Sequence, residues 1–404
     1  MEKLIVRNCG PIKEATVDVR KNTVFIGPQG SGKSTLAKLI ALCTDISVFP
    51  IAGFPSNLFI NYNLESYVNL NTYFHYETPL YFVEYKKNLS FGLTDQGLLL
   101  NKKLVDQRRN NDLNYKENGA PWDFTTFVHS LSQKLKEKSN SGGNWFSISQ
   151  SFHQAFFQEY VLRSPSTYIP SERNLTAMLS SAIWSLLYSD INIPKPLVQF
   201  GRTFEAARNQ INKLSIPFLG VRYSYENGKD RILYGADGSI DLANSASGYQ
   251  SIIPLLLVVD YLRSKESRRF VIEEPELNLF PQAQKELMYY LLNQSLGKYQ
   301  SQTVITTHSP YILSAINNLL FAYKVAESSA EDRAKIEEII PAGSWLDPAE
   351  FSAYFVENGT IRSIMNETTG LIGDNELDDV SEDIAGERDQ LLTIYRNSQR
   401  ERTA

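Results

Sequence analysis

Cysteine is almost absent from this 404-residue chain, which contains only Cys9 and Cys43. Two cysteines cannot build a disulfide framework, and these two lack the spacing of metal ligands. Long apolar runs are also missing, because no stretch approaches the ~20 residues that span a bilayer, and the first residues contain no signal-peptide core. The sequence therefore predicts a cytoplasmic protein that does not insert into a membrane.

Neither sign of charge dominates the composition. The formal net charge is −5, and 21% of the residues are charged while 42% are hydrophobic, as in ordinary folded proteins. This balance argues against a uniformly basic clamp for nucleic acid. Two local basic clusters leave open either solvated surface or contacts to phosphates. They consist of Lys102, Lys103, Arg108, Arg109 and Lys116, and of Lys134, Lys136 and Lys138.

The segment GPQGSGKS at residues 27–34 has the spacing of a complete phosphate-binding loop. It lies between a short strand predicted over residues 23–26 and a helix predicted over residues 34–42. In such a loop the glycines let the backbone wrap a polyphosphate, the lysine reaches the terminal phosphates, and the following serine binds Mg²⁺. The sequence thus predicts a site for ATP and Mg²⁺. The candidate residues are Gly27, Gly30, Ser31, Gly32, Lys33, Ser34 and Thr35.

Two later strands, predicted over residues 269–272 and 303–306, end in polar residues that suit the same chemistry. Glu273 and Glu274 follow the first strand. We expect Glu273 to help hold Mg²⁺, directly or through water, and Glu274 to polarise the attacking water. His308 follows the second strand and can donate to a γ-phosphate, with a helix cap as its alternative role. Ligands of α/β sheets bind at this carboxyl edge.

Ser247 and Gly248 precede a helix predicted over residues 249–263. A small residue, a glycine and a helix N-terminus are what a second phosphate contact needs, although a simple helix cap explains them equally well. Apolar strands alternate with helices from residue 168 onward, which predicts an α/β protein with a mostly parallel sheet. Hairpins are predicted over residues 220–234 and around residue 358.

Four elements follow one another along the chain: the phosphate loop, Ser247-Gly248, the acidic pair and His308. In this chain order they resemble the ABC-type ATPases, and in particular the soluble branch of SMC, RecF and OLD-like proteins. The sequences EEPE at 273–276, TTHSP at 306–310 and YIPSER at 168–173 are similar to that branch. The resemblance implies a P-loop NTPase head with a mostly parallel central sheet, an antiparallel β lobe and a helical subdomain. It also implies a head-to-tail homodimer, or a higher oligomer, in which Ser247 and Gly248 complete the partner's ATP site.

The resemblance covers residues 1–45 and 165–320, which we assign to the ATPase core. Residues 46–164 are then a variable insertion, and residues 321–404 a C-terminal extension with a hairpin and an acidic helical tail. The chain departs from the family's Leu-Ser-Gly-Gly-Gln signature. Ala246 replaces its serine by strict alignment, with Ser247 as a substitute, so hydrolysis could be slow. The Q-loop is placed at residues 171–173, without a motif to fix it.

No heptad arms, no Asp-x-Asp pair of a TOPRIM nuclease and no HNH-type histidine pattern occur in the sequence. We therefore expect an ATPase that controls a separately encoded effector, a nuclease or a toxin, similar to the ATPase subunits of Septu- or PARIS-type anti-phage defence. That expectation is an analogy between families. Two alternatives stay open, namely a RecF-like DNA-binding repair ATPase and an ATP-gated scaffold that does not hydrolyse.

Overall fold

The computed structural model describes residues 2–45, 58–96, 164–179, 193–296, 299–373 and 384–395. Both basic clusters lie outside the described residues. The strands are β1 (Glu2–Cys9), β2 (Ile12–Val19), β3 (Asn22–Ile26), β4 (Tyr73–Glu77), β5 (Tyr81–Lys86), β6 (Asn88–Leu93), β7 (Ser166–Ile169), β8 (Lys213–Ile216), β9 (Val221–Glu226), β10 (Lys229–Tyr234), β11 (Gly238–Asp241), β12 (Arg269–Glu273), β13 (Gln302–Thr307), β14 (Phe351–Glu357) and β15 (Thr360–Ser363).

The α-helices with defined bounds are α1 (Lys33–Cys43), α2 (Asn174–Leu179), α3 (Lys195–Gln210), α4 (Ser247–Arg263), α5 (Pro281–Leu291), α6 (Pro310–Ser328) and α7 (Arg333–Ile339). Residues 384–395 are also helical, whereas 374–383 of the predicted acidic tail lie outside the described residues. Across the described part of the chain, no helix is both long and apolar enough to cross a membrane.

The central sheet has six strands in the order β15-β14-β3-β13-β12-β7. All pairs among β14, β3, β13, β12 and β7 are parallel, and only β15 runs antiparallel, at one edge. Every residue of β3 and β12 is buried, as expected for strands covered on both faces. The predicted α/β class with a mostly parallel sheet is confirmed, and it brings the ends of β3, β12 and β13 to one edge.

Alternating side chains of the central strands point into two separate cores. Val24 and Ile26 of β3 belong to the core that also contains residues of α4, α5 and α6. Phe25 belongs to the opposite core, together with α1 and the N-terminal strands. The central sheet is therefore held from both sides, which fixes the positions of its strand ends.

A second sheet, β2-β1-β4-β5-β6, is antiparallel. Its strands β4, β5 and β6 come from the segment that the sequence analysis assigned to the variable insertion, and β4 pairs with β1 along residues 73–77. Likewise, β14 of the C-terminal extension pairs with β3, next to the phosphate loop. Both segments thus contribute strands to sheets that also contain strands of the assigned ATPase core. The division into domains stays a prediction.

The third sheet, β11-β10-β9-β8, is also antiparallel and contains the predicted hairpin between β9 and β10. The sequence pattern before this sheet predicts helix to about residue 214. In the structure α3 ends at Gln210 and β8 begins at Lys213. The hydrogen bonds of β8 to β9 outweigh the helical pattern there, because a strand beside a hairpin gains cross-strand pairs that a longer helix would lose.

Candidate nucleotide-binding site

The phosphate loop joins β3 to α1 and depends on its glycines. Gly27, Gly30 and Gly32 have φ angles of 146°, 74° and 108°, values that L-residues with a side chain rarely adopt. A Cβ on Gly27 would also collide with the backbone oxygen of Val356 in β14, and one on Gly32 with the side chain of Ile12. The loop therefore needs glycine both for its conformation and for its close contact with neighbouring strands.

Lys33 is the first residue of α1, and it is 5% exposed. Its Nζ donates hydrogen bonds to the carbonyl oxygens of Gly27 and Pro28, at 2.7 and 2.8 Å. Burial lowers the pKa of Lys33, and the charges of the nearby glutamates act in the opposite direction. The ammonium group thus points into its own loop, where a phosphate would lie.

Ser34 lies one residue further along α1, and its side chain is hydrogen-bonded to Glu273 at the end of β12. Thr35, the next residue of α1, is also buried, with 2% of its surface exposed. The hydroxyl of Ser31 is buried and has no hydrogen-bond partner among the described residues. Ser31 and Ser34 therefore offer hydroxyl oxygens at the mouth of the loop.

Glu273 is 5% exposed, and burial raises its pKa. Ser34 and Tyr168 are its hydrogen-bonding side chains. Its Oε1 is buried without a hydrogen-bond partner in the described part of the chain. A partnerless carboxylate oxygen beside a serine hydroxyl fits a hard divalent cation. The described residues contain no group of three or more His, Cys, Asp or Glu that could hold a metal, so such a cation would also need non-protein oxygens.

Glu274 begins the turn after β12 with a φ of 43°, which is rare for a non-glycine residue. Its backbone N–H donates to the Thr306 carbonyl of β13 at 2.9 Å. Its carboxylate Oε1 lies 3.1 Å from Nε2 of His308. This hydrogen bond lowers the pKa of Glu274 and raises the pKa of His308. The two sequence-predicted residues therefore form a hydrogen-bonded pair in which the carboxylate is ionised.

Glu276 was not assigned a role from the sequence, yet it is 7% exposed and organises the end of β13. Its Oε1 accepts a hydrogen bond from the Thr307 hydroxyl at 2.5 Å and another from the His308 backbone N–H at 3.1 Å. Burial raises the pKa of Glu276. The sequence did contain a signal for Glu276, because it is the third glutamate of EEPE. A carboxylate two residues past the acidic pair still lies at the carboxyl edge of the central sheet.

Arg173 ends the 3-10 helix Ser171–Arg173, in the segment where the Q-loop was placed. Its side chain is fully buried, and its guanidinium donates to the carbonyl oxygens of Glu273 and Glu274, both at 2.7 Å. No sequence signal indicates these bonds, because their partners are backbone atoms about a hundred residues away. The segment therefore contacts the acidic turn through a side chain that the sequence analysis did not single out.

Ser247 and Gly248 begin α4, and the nearest neighbours of Gly248 are Asn278 and Leu279 rather than residues of the phosphate loop. The N-cap is Ala246, without a side-chain capping bond, so Ser247 is not the helix cap. A Cβ on Gly248 would lie 2.7 Å from the Asn278 carbonyl, which gives this glycine a packing role. Ser247 itself is exposed. The start of α4 therefore presents its serine to the outside of the molecule.

A phosphate loop after a buried parallel strand, facing a strand that ends in two carboxylates, defines a P-loop ATPase domain. The family model described as the AAA ATPase domain matches residues 1–313. That match covers well over half of the chain, and the chain belongs to this family. A search of curated proteins gives no match.

Solved structures with similarity to this chain include heads of SMC proteins. One is the SMC head domain from Thermotoga maritima, with 12% identity, a TM-score of 0.36, and coverage of 90% of this chain and 97% of that chain. Another is the SmcHead bound to the C-winged helix domain of ScpA, with 11% identity, a TM-score of 0.43, and coverage of 90% and 96%.

A third is the Smc head domain with an extended coiled coil bound to the C-terminal domain of ScpA, derived from Pyrococcus furiosus. It has 12% identity, a TM-score of 0.38, and coverage of 95% of this chain and all of that chain.

Proposed function

We propose that this chain hydrolyses ATP at the carboxyl edge of its central sheet. The observation that carries the proposal is the 3.1 Å contact between Glu274 and His308 beside the buried Lys33. A general base must be ionised to accept a proton, and the bond to His308 lowers the pKa of Glu274. We assign Glu274 the role of orienting and polarising the attacking water, with His308 donating to the terminal phosphate or to Glu274.

Nucleotide binding would use the backbone N–H groups of residues 27–34 and the N-terminus of α1. The Lys33 ammonium now bonds to two carbonyls of its own loop, and phosphate oxygens would replace them as acceptors. Ser34 and the partnerless oxygen of Glu273 would hold Mg²⁺. That ion supplies neutralisation of the phosphate charge when bound. The protein residues supply the position and the ionised base.

Phosphate release from ATP tests this proposal directly. We expect Lys33→Ala to lose nucleotide binding, and Glu274→Gln to bind ATP while its turnover falls about a hundredfold or more. Glu338→Gln is the matched control, because Glu338 is an exposed glutamate on α7. Wild-type release no faster than that of Lys33→Ala would show that the chain does not hydrolyse ATP. A chain that binds ATP without turnover would then be a nucleotide-gated scaffold.

A head-to-tail dimer is the arrangement that we propose for the complete site. The hydroxyl of an exposed Ser247 at the N-terminus of α4 can meet the γ-phosphate bound by another copy. Gly248 would let the backbone approach closely. Support comes from the exposure of Ser247, and from the location of Gly248 against Asn278 and Leu279 rather than against residues 27–34 of its own chain.

Control of a separately encoded nuclease or toxin in anti-phage defence is the biological role that we propose. It is supported by the resemblance of the motifs to those of standalone defence ATPases. Co-purification of the chain with the product of the adjacent gene is the expected result. If the chain instead stays alone, and DNA stimulates its turnover with a steep dependence on salt, it acts as a DNA-binding repair ATPase.

A further inference from the structure

The Arg173 guanidinium is surrounded by backbone carbonyls. It is fully buried, and it makes five hydrogen bonds within the described part of the chain, all of them to carbonyl oxygens rather than to carboxylates. The two shortest, at 2.7 Å, reach Glu273 and Glu274. The others reach Pro170 at 3.2 Å, and Pro275 and Ser251 at 3.3 Å. One side chain therefore ties together the end of β7, the start of the acidic turn and the helix α4.

Such a buried charge is costly unless its geometry is good, and an apolar side chain of similar volume would fill the same space at a lower cost. Burial lowers the pKa of Arg173 to about 10, with Glu276, Glu274, Glu273 and Glu172 acting in the opposite direction. The group is thus charged at neutral pH. A planar fork of donors can bind several carbonyls at once, which a lysine ammonium does less well.

The turn that Arg173 holds contains the unusual backbone of Glu274. At a φ of 43° this residue is in a conformation that costs energy and persists only when its surroundings impose it. The Glu274 N–H is fixed by the Thr306 carbonyl at 2.9 Å, and the Glu274 carbonyl by Arg173. The peptide units on both sides of this Cα are therefore held, and the direction of the carboxylate follows from them.

We propose that Arg173 is a positioning residue for ATP hydrolysis, which acts by holding the backbone of Glu274 so that its carboxylate faces His308 and the attacking water. This inference rests on the proposed function. Arg173 itself touches no reacting atom, because its donors are occupied by carbonyls of the protein. A lysine at this position keeps the positive charge but lacks the planar set of guanidinium donors. It therefore loses some of the hydrogen bonds that hold the acidic turn.

Turnover kinetics of Arg173→Lys provide the first test. We expect kcat to fall about tenfold to a hundredfold, because a catalytic group moved by about 1 Å loses that much, while ATP affinity stays within about threefold. The double variant with Glu274→Gln should be no slower than Glu274→Gln alone, since Arg173 acts through Glu274. Additive losses in the double variant would overturn the proposal.

Arg263→Lys is the matched control. Arg263 is also a buried arginine, 4% exposed, and it donates to the Leu291 carbonyl at 2.7 Å from the far end of α4. We expect its variant to lose thermal stability but to keep kcat. Equal losses of kcat in the two variants would show a general packing effect instead. If Arg173→Lys does not fold, Arg173→Gln retains a smaller planar donor and takes its place.

A second readout needs no hydrolysis. His308 faces Glu274, Lys33 and Glu276, and its pKa is raised first by the hydrogen bond to Glu274. NMR titration of nucleotide-free protein should show the His308 pKa falling towards its ordinary value in Arg173→Lys, and unchanged in Arg263→Lys. If the His308 pKa falls in Arg173→Lys alone but the wild type does not hydrolyse ATP, Arg173 still positions Glu274, and only the proposed ATPase activity is rejected. An unchanged pKa together with an unchanged kcat would reject the role of Arg173.

Discussion

The phosphate loop between β3 and α1 and the acidic turn after β12 lie at the same edge of the central sheet, but they are held differently. The loop obtains its conformation from its own glycines, all three with positive φ angles. The turn contains Glu274 at a positive φ without being glycine, and it is held by Thr306 and Arg173. One half of the site is thus specified locally and the other by contacts between distant residues.

This difference determines where each half is vulnerable. A substitution inside residues 27–34 should damage the loop directly. The acidic turn should also respond to changes far from it in sequence, because Arg173 and Glu276 support it from other elements. The start of α4 belongs to neither half, and Ser247 is exposed.

The largest expected effect concerns the start of α4. Lys33→Ala and Ser247→Arg should each abolish turnover, because every composite site of a homodimer carries the defect. When the two variants are mixed, about half of the dimers should be mixed, and each of these has one intact site and one doubly damaged site. We therefore expect phosphate release to return to about a quarter of the wild-type rate. A mixture as inactive as its components would contradict the head-to-tail dimer.

Gly27→Ala and Gly30→Ala test the local half by comparing two glycines of one loop. Both have positive φ, yet a Cβ on Gly27 would meet the Val356 backbone, whereas a Cβ on Gly30 would have no neighbour within 4 Å. We expect Gly30→Ala to cost about 1 kcal/mol of unfolding free energy from backbone strain alone. Gly27→Ala should cost about 1–3 kcal/mol more, because its Cβ is forced against the Val356 backbone, and should weaken ATP binding. Urea unfolding with nucleotide titration measures both, and equal losses would contradict the steric account.

Glu276 tests the half that depends on distant contacts. Glu276→Ala removes the acceptor of the Thr307 hydroxyl and the His308 N–H, so it should destabilise the chain by about 1–3 kcal/mol. Glu276→Gln keeps an acceptor oxygen and should lose less. Thermal unfolding of the two variants provides the comparison. If the glutamine variant is as unstable as the alanine variant, the negative charge matters more than the hydrogen bonds.

The smallest expected effect is the pH dependence of the Glu274–His308 pair. The pKa of His308 is raised in the folded chain, mainly by its bond to Glu274, so its stabilisation is fully present below the unfolded value of about 6.5. It is lost as the pH rises through the folded value. Because the pKa of Glu274 is lowered, its contribution is present above about pH 4.5 and is lost as the pH falls through the folded value.

We therefore expect the difference in unfolding free energy between wild type and His308→Gln to be larger at pH 5.5 than at pH 8.5. The side chain of His308 is 36% exposed, so solvent screening keeps this difference small. Urea midpoints at the two pH values measure it. His75 lies near Glu77 and Glu84 on the antiparallel sheet, and His75→Gln is the control for a histidine outside the site. A difference that grows towards pH 8.5 would contradict the ion pair.

The sequence could predict what local patterns encode. The phosphate loop, the buried strands β12 and β13 and the α/β class follow from glycine spacing and apolar runs, and the structure has these elements within one or two residues. The chemical roles assigned to Lys33, Glu273, Glu274 and His308 stay predictions, although the strand ends bring these residues to one edge. The pairing of β14 with β3 was not predicted, because strand order depends on packing between distant segments.

Arg173 and Glu276 illustrate why the rest of the site could not be predicted. The partners of Arg173 are main-chain oxygens, which every residue has, so no residue type marks them. Glu276 binds a hydroxyl and an amide that follow β13, about thirty residues further along the chain. Only the folded sheet places these atoms together.

The nucleotide that stays bound after incubation with ATP and Mg²⁺ tests the central claim most directly. Wild type and Glu274→Gln are incubated, separated from free nucleotide and extracted, and the bound nucleotide is identified by chromatography. The account predicts ADP in the wild type and ATP in Glu274→Gln. Intact ATP in both proteins would contradict the claim that the chain hydrolyses ATP at this edge of the sheet, with Glu274 polarising the attacking water.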